Sequence, residues 1–195
     1  LIGALHRQGA KNLTGICNSH GLLDDQVDVG TLIEAGQVGK MICSFTAPTH
    51  PSQITPFVRM YSGGEVDGEL VPQGTLAERI RAAASGIGGF FTPTSVGTEL
   101  ADGKEHREIS GRTHVLEYAL PADYAFIRAW KADTLGNLQF RLAGRNFSPI
   151  MAMAATTTIV EVENDFVEPG EMDPDHVHVP SVYVNRMVRI PPDGM

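Results

Sequence analysis

The sequence predicts an α/β fold on a largely parallel sheet. Three observations carry that expectation. Short apolar runs of strand length alternate with segments of helical periodicity along the chain. Gly, Pro and Asn fall between them, where turns are needed. The composition is that of a packed domain: 42% of the 195 residues are hydrophobic and only 19% are charged, which argues against disorder.

The elements follow in order. Leu1 to Leu5 reads as the second half of an amphipathic helix, and Asn12 to Asn18 as a strand. Val29 to Ala35 predicts a short helix stopped by Gly36. Lys40 to Phe45 is a second strand, Pro56 to Tyr61 a helix ahead of Gly63-Gly64, and Val66 to Val71 a third strand. The clearest helix comes next. Thr75 and Glu78 have the spacing of a capping box, Leu76, Ile80, Ala83 and Ala84 recur at helical spacing, and Gly86 ends the run. Gly88 to Thr94 is a short strand entering a loop. His114 to Tyr118, Tyr124 to Trp130 and Thr157 to Val162 are strands, Ile150 to Ala155 suits a helix, and Ser181 to Ile190 reads as a late strand before a tail at Pro191 to Gly194. Neither repeat nor linker is visible, so residues 1–195 are expected to form a single domain.

The net charge of −8 counts against nucleic-acid binding, which needs a basic face. Cys17 and Cys43 lie in strand-like runs and read as reduced core thiols of a cytoplasmic protein. No apolar run approaches the ~20 residues that span a bilayer, so no membrane partner is expected. Because Leu1 opens midway through a helix, a preceding N-terminal piece is expected.

Several stretches are candidates for chemistry. Pro72-Gln73-Gly74-Thr75 joins a strand end to a helix start, the place where open α/β sheets bind ligands. The Gln73 amide can both donate and accept there; the plain alternative is a solvent-facing turn. Asn18-Ser19-His20-Gly21 also follows a strand and suits a substrate-facing loop or a simple turn. Arg141 and Arg145 flank a basic loop after the turn Asp133 to Asn137. Either could fork onto a substrate carboxylate or phosphate, or pair with one of the 23 acidic residues. His176 and His178, two apart, would share a face of a strand. No matching ligand cluster accompanies them, so a surface loop is expected and no metal site. P-loop, GxGxxG and GxSxG fingerprints are absent.

The stretch Leu70-Val-Pro-Gln-Gly-Thr-Leu-Ala-Glu-Arg-Ile-Arg-Ala82 resembles the A-subunit signature of the family I CoA-transferases. The resemblance continues through Phe91 to Thr94 with Gly97-Thr98, and through Gly103-Lys104-Glu105. It resumes at Val115 to Glu117, Ala132-Asp133, Gly136 to Leu138, Arg145 to Phe147, Glu161 to Glu163 and Tyr183-Val184. It implies a three-layer α/β/α domain whose first strand and glycine loop would precede Leu1. It also implies a partner B subunit, with two chains of each kind in the complex. The partner's glutamate would attack the acyl-CoA and carry CoA as an enzyme thioester. On this reading the present chain holds no catalytic nucleophile, and coenzyme A is a substrate with no cofactor permanently bound. Gln73 and Asn18 are implied to line the site as substrate-binding, oxyanion-stabilising amides, with Ser19, Gly74 and Thr94 as further substrate-binding candidates. Ser19 stands where the family usually has a second Asn, so it offers a shorter group without the two N–H donors. Ser95 stands where a Gly is common, a change that narrows the acid pocket.

The expected reaction moves CoA from an acyl-CoA, succinyl-CoA first, to a 3-oxoacid such as acetoacetate. The alternatives are a 3-oxoadipate or short-chain fatty acid CoA-transferase, a hydrolase or ring-opening enzyme on the same fold, and a non-catalytic domain that binds CoA esters for regulation.

Overall fold

A computed structural model describes residues 1–21, 27–46 and 54–190. It divides the chain into two compact units, Leu1–Leu76 with Phe91–Leu116 and Ala77–Phe90 with Glu117–Met195. The tail expected at Pro191 to Gly194 lies outside the described residues.

The first unit opens with helix α1 (Ile2–Gln8), stopped by Gly9 in the left-handed conformation. It continues through β1 (Leu13–Ser19), α2 (Val29–Glu34), β2 (Val38–Phe45), α3 (Pro56–Ser62) and β3 (Asp67–Leu70). The helix starts obey local chemistry. The Asp28 carboxylate accepts from the Gly30 N–H at 2.7 Å ahead of α2. Ahead of α3 the Thr55 hydroxyl accepts from the Val58 N–H, and Pro56 occupies the first turn, where a missing N–H costs nothing.

β1, β2 and β3 form a parallel sheet in that order. The register pairs Cys17 with Cys43 and Ser19 with Phe45, and Cys43 with Leu70 on the other side. β2 is therefore central, and Met41, Ile42 and Cys43 are all buried, as expected of a strand covered on both faces. Leu32, Ile33, Phe57 and Met60 from α2 and α3 complete its core with Val38 and Met41.

α4 (Gln73–Ala84) begins three residues earlier than the capping box predicts. Its first i→i−4 bond runs from the Leu76 N–H to the Pro72 carbonyl. Thr75 is buried inside the first turn, and the Glu78 carboxylate is engaged by Arg81 through Nε at 2.8 Å and Nη2 at 2.9 Å. The helix starts as soon as Pro72, which cannot donate and whose φ is already fixed, has been passed. β4 (Gly89–Thr92) leads into a loop. β5 (His106–Ile109) and β6 (Arg112–Tyr118) form an antiparallel hairpin. Its turn is Ser110-Gly111, both with positive φ, the backbone that suits the twist of a two-residue hairpin.

In the second unit β7 (Ala122–Ala129), the short antiparallel pair β8 (Lys131–Ala132) and β9 (Leu138–Gln139), α5 (Ser148–Ala154), β10 (Ala155–Val162) and β11 (Arg186–Arg189) follow. β10 lies between β7 and β11, parallel to both. Ile127, Leu138, Phe140, Ala152, Val160 and Val162 lead its core. The late strand predicted from Ser181 is shorter than expected. Ser181–Tyr183 is a 3-10 turn, because the Asn137 side chain captures the Ser181 N–H and the Tyr183 N–H closes back on Pro180. Arg79, in the part of α4 belonging to this unit, is buried with Glu117. Its Nε donates to the Tyr118 carbonyl at 2.9 Å and lies 4.0 Å from the Glu117 carboxylate. Among the described residues no helix is long and apolar enough to cross a membrane.

Ser95 holds two local costs. Its φ of 75° lies in the left-handed region, and its hydroxyl is buried without a hydrogen-bond partner. Left-handed backbone costs a non-glycine residue about 1–2 kcal/mol, and an unsatisfied buried hydroxyl about as much. Glycine removes both and loses part of the gain to unfolded-chain entropy. Ser95→Gly is therefore expected to stabilise the protein by about 1–2 kcal/mol. Scanning calorimetry should show a midpoint several degrees higher; an unchanged or lower midpoint refutes this account.

Candidate active site

Parallel pairing sends the carboxyl ends of β1, β2 and β3 to one edge of the first unit's sheet. Two of the residues expected from the sequence meet there. The Gln73 Nε2 donates to Asn18 Oδ1 at 2.9 Å, across 55 residues of chain. Asn18 sits at the end of β1, half-buried, and Gln73 is the first residue of α4, exposed. One bond uses one donor and one acceptor of this amide pair. Both Asn18 N–H groups, the second Gln73 N–H and the Gln73 carbonyl oxygen remain for a ligand. The backbone N–H groups of the first turn of α4 lie in the same stretch, and the helix dipole makes that end favourable to negative charge. Gly74 is exposed, and a Cβ built on it meets nothing within 4 Å, so the turn lies open.

The other expected residues are placed differently. Ser19 is half-buried, and its carbonyl accepts from the Cys17 thiol. Thr94 is exposed, and its N–H is taken by the Thr92 hydroxyl at 3.2 Å; among the described residues no hydrogen bond joins it to Asn18 or Gln73. Sequence reasoning missed Ser44, which the register sets beside Asn18 on β2 and whose hydroxyl is buried without a partner. It also missed the burial of His20. A serine within an apolar strand and a histidine in a polar loop carry no sequence signal of such environments.

Among the described residues of this edge neither cysteine is an activated nucleophile. The Cys17 thiol is pushed up to about 12, chiefly by burial and then by the neighbouring Cys43 and Asp28. It stays protonated at neutral pH and is inert as a nucleophile. The Cys43 thiol is also raised by burial. The described part of the edge can orient a ligand and favour developing negative charge on an oxygen.

The Coenzyme A transferase family profile matches residues 1–189. This chain belongs to the coenzyme A transferase family. It is 50% identical over 188 residues to the A chain of the probable succinyl-CoA:3-ketoacid coenzyme A transferase of Bacillus subtilis, covering 96% of this chain and 76% of that one. It is also 50% identical over 192 residues to the A chain of the 3-oxoadipate CoA-transferase of Pseudomonas putida, covering 97% and 80%.

Solved structures share the fold. An acyl-CoA transferase from E. coli O157:H7 superposes with a TM-score of 0.81 at 22% identity, over 100% of this chain and 41% of that one. Glutaconate coenzyme A-transferase from Acidaminococcus fermentans gives 0.81 at 23% identity, over 97% and 65%. The chain thus spans about two fifths of the first and just under two thirds of the second. The decarboxylase AibA/AibB gives 0.79 at 22% identity, over 100% and 72%.

The remaining candidate motifs of this CoA-transferase family member lie in the second unit. The Asp133 carboxylate is buried and accepts from the N–H groups of Leu135, Gly136 and Asn137, which makes the expected turn. Arg141 and Arg145 border a 3-10 turn (Leu142–Arg145) and are exposed; no ion pair among the described residues engages them. His176 and His178 do not lie on a strand. His176 ends a 3-10 turn and pairs with Asp173 at 3.0 Å, and the His178 Nδ1 accepts from the Phe140 N–H at 3.0 Å. Among the described residues no group of three His, Cys, Asp or Glu side chains could hold a metal ion.

His178 supplies a pH dependence. Its pKa is lowered, first by desolvation and then by the charges of Arg145 and His176. A depressed histidine contributes stability that is complete above its unfolded value of about 6.5 and is lost as pH falls through its folded value. Acid adds a proton and turns Nδ1 from acceptor into donor, so the bond from Phe140 is lost. His178→Asn keeps an acceptor near that position without the titration. The fall in thermal midpoint from pH 7.5 to pH 5 should be smaller in His178→Asn than in the parent protein. Parallel falls would exclude His178 as the source.

Proposed function

We propose that this chain is the A subunit of a two-chain CoA-transferase that moves CoA from an acyl-CoA, succinyl-CoA first, to a 3-oxoacid such as acetoacetate. The observation that carries the reading is the Gln73–Asn18 amide pair at the carboxyl edge of β1–β3, in a chain of the coenzyme A transferase family. The names of the B. subtilis and P. putida relatives support the donor and the class of acceptor. Residues 1–195 act as a single A-subunit domain on this reading. In support, the borders between the two compact units fall inside α4, β4 and β6, whereas domain borders fall in exposed linkers. The unpaired thiols Cys17 and Cys43 suit a reducing, cytoplasmic setting.

The thioester carbonyl of the donor is attacked by a glutamate of the B subunit. The carbonyl oxygen gains negative charge in the transition state, and the N–H groups of Asn18 and Gln73 are its donors. The CoA thiolate leaves, attacks the glutamyl carbonyl of the resulting anhydride and expels the donor acid as its carboxylate, and the acceptor carboxylate then opens the glutamyl thioester by the reverse sequence. Amide donors held in place before the reaction favour the charged transition state over the neutral ground state. Ser19, Gly74 and Thr94 border the acid. Coenzyme A is a substrate throughout, with no cofactor permanently bound.

Two measurements test this reading. The chain purified alone should show no transfer between succinyl-CoA and acetoacetate, and co-expression with the B subunit should restore it in a complex of two chains of each kind, read by light scattering. Robust turnover by the single chain would contradict the assignment. In the assembled enzyme Gln73→Ala should lower kcat on the order of 10²–10³, the usual cost of one such donor. The thermal midpoint should hardly move, since Gln73 is exposed. Gln73→Glu should be at least as harmful, because it sets an anion beside the attacking carboxylate. A fall in kcat of less than about threefold, far below the usual cost of a donor, would make Gln73 a turn residue.

A further inference from the structure

His20 follows Asn18 on the chain by two residues, and its side chain is at 0% exposure. Its Nε2 lies 2.9 Å from the Thr46 carbonyl oxygen, just past the end of β2. A carbonyl only accepts, so Nε2 carries the proton and Nδ1 is the bare nitrogen. That Nδ1 is buried without a partner, an uncompensated loss of hydration. The ring stacks on Phe57 of α3 at 5.1 Å between centroids, and Phe57 stacks on Tyr61 at 5.6 Å. An apolar ring would fill this space without the orphaned nitrogen, so packing alone does not account for a histidine here. What the histidine adds is the one bond to Thr46.

The next residue fixes the other side of the loop. Gly21 has a φ of 87°, and a Cβ on it would come within 2.6 Å of Asp28 Oδ1 and 2.8 Å of the Gly30 N–H nitrogen. The loop is thereby pressed against the start of α2. His20 and Gly21 together leave the exit of β1 little freedom.

We propose that His20 is a positioning residue, whose bond to the Thr46 carbonyl ties the exit of β1 to the exit of β2 and thereby aims Asn18 at Gln73. The inference rests on the reading of that amide pair given above. His20 touches no substrate and acts through Asn18. Displacing a donor by about an ångström can cost up to a hundredfold in rate, so a tether on the donor's own loop has leverage on turnover.

The test uses the assembled two-chain enzyme and three variants. His20→Phe keeps the stacking ring and loses the donor. His20→Asn carries an amide too short to reach Thr46. His20→Gln restores a donor at nearly the reach of Nε2. Two readouts are taken: the side-chain amide resonances of Gln73 in enzyme labelled with ¹⁵N-glutamine, assigned by their loss in Gln73→Ala, and the steady-state constants.

In His20→Phe and His20→Asn the Gln73 amide signals should move and kcat should fall roughly ten- to a hundredfold. KM for the acyl-CoA should stay within about twofold, as for an interaction made only in the transition state. His20→Gln should recover most of both. Unmoved Gln73 signals in His20→Phe overturn the inference. A moved signal with unchanged kcat leaves the tether standing and removes the catalytic role of the amide pair instead. Failure of all three variants to fold, His20→Gln included, also overturns it, because His20 would then be core alone.

Discussion

The hydrogen bond from Gln73 to Asn18 exists because three strands keep one register. β2 is held between β1 and β3, pairing Cys43 with Cys17 on one side and with Leu70 on the other. That alignment fixes the height at which each chain segment leaves the sheet. Two residues separated by 55 positions then lie within 2.9 Å. A slip of one residue in β1 would turn Asn18 to the opposite face of the sheet. The buried side chains of Met41, Ile33 and Leu32 thus act on the amide pair through the register they support, although none of them is at the edge.

α4 extends the same logic. Pro72 ends the extended segment and Gln73 opens the helix, so the amide is carried on regular structure from its first atom. Farther along, the buried Arg79 holds the Tyr118 carbonyl and faces Glu117. The two ends of α4 therefore have separate tasks: one presents polar groups, and the other is fixed by a charge-assisted contact that would be costly to break. A group on a rigid element is placed more accurately than one on a loop. Asn18 has no helix under it, and the exit of β1 depends on its own tethers.

Much of this was legible in the sequence. Apolar runs with Gly and Pro between them predict β1, β2, β3 and the helices that cross between them, and the Pro-Gln-Gly-Thr turn and the Asn-Ser-His-Gly loop are visible as strand exits. Their meeting is not visible, because register is decided by packing across the sheet. Thr75 and Glu78 have the spacing of a cap, yet Thr75 is buried and Glu78 is taken by Arg81, since Pro72 lets the helix start sooner. Ser181 looks like strand until Asn137 takes its N–H. β6 was legible from His114 to Tyr118, but β5, and with it the hairpin, was missed although Ser110-Gly111 is a turn dipeptide, because His106 to Ile109 is exposed along its length and lacks apolar alternation.

Gln73 and Asn18 have one more property in common. Neither amide gains or loses a proton in the range where proteins stay folded. A site edge made of such groups keeps the same donors in acid and in base, so it adds no limb of its own to a pH–rate profile. Any bell shape recorded for the complete enzyme would report the ionisation of groups other than these two. The profile would then be read against a pair of donors whose own charge does not change.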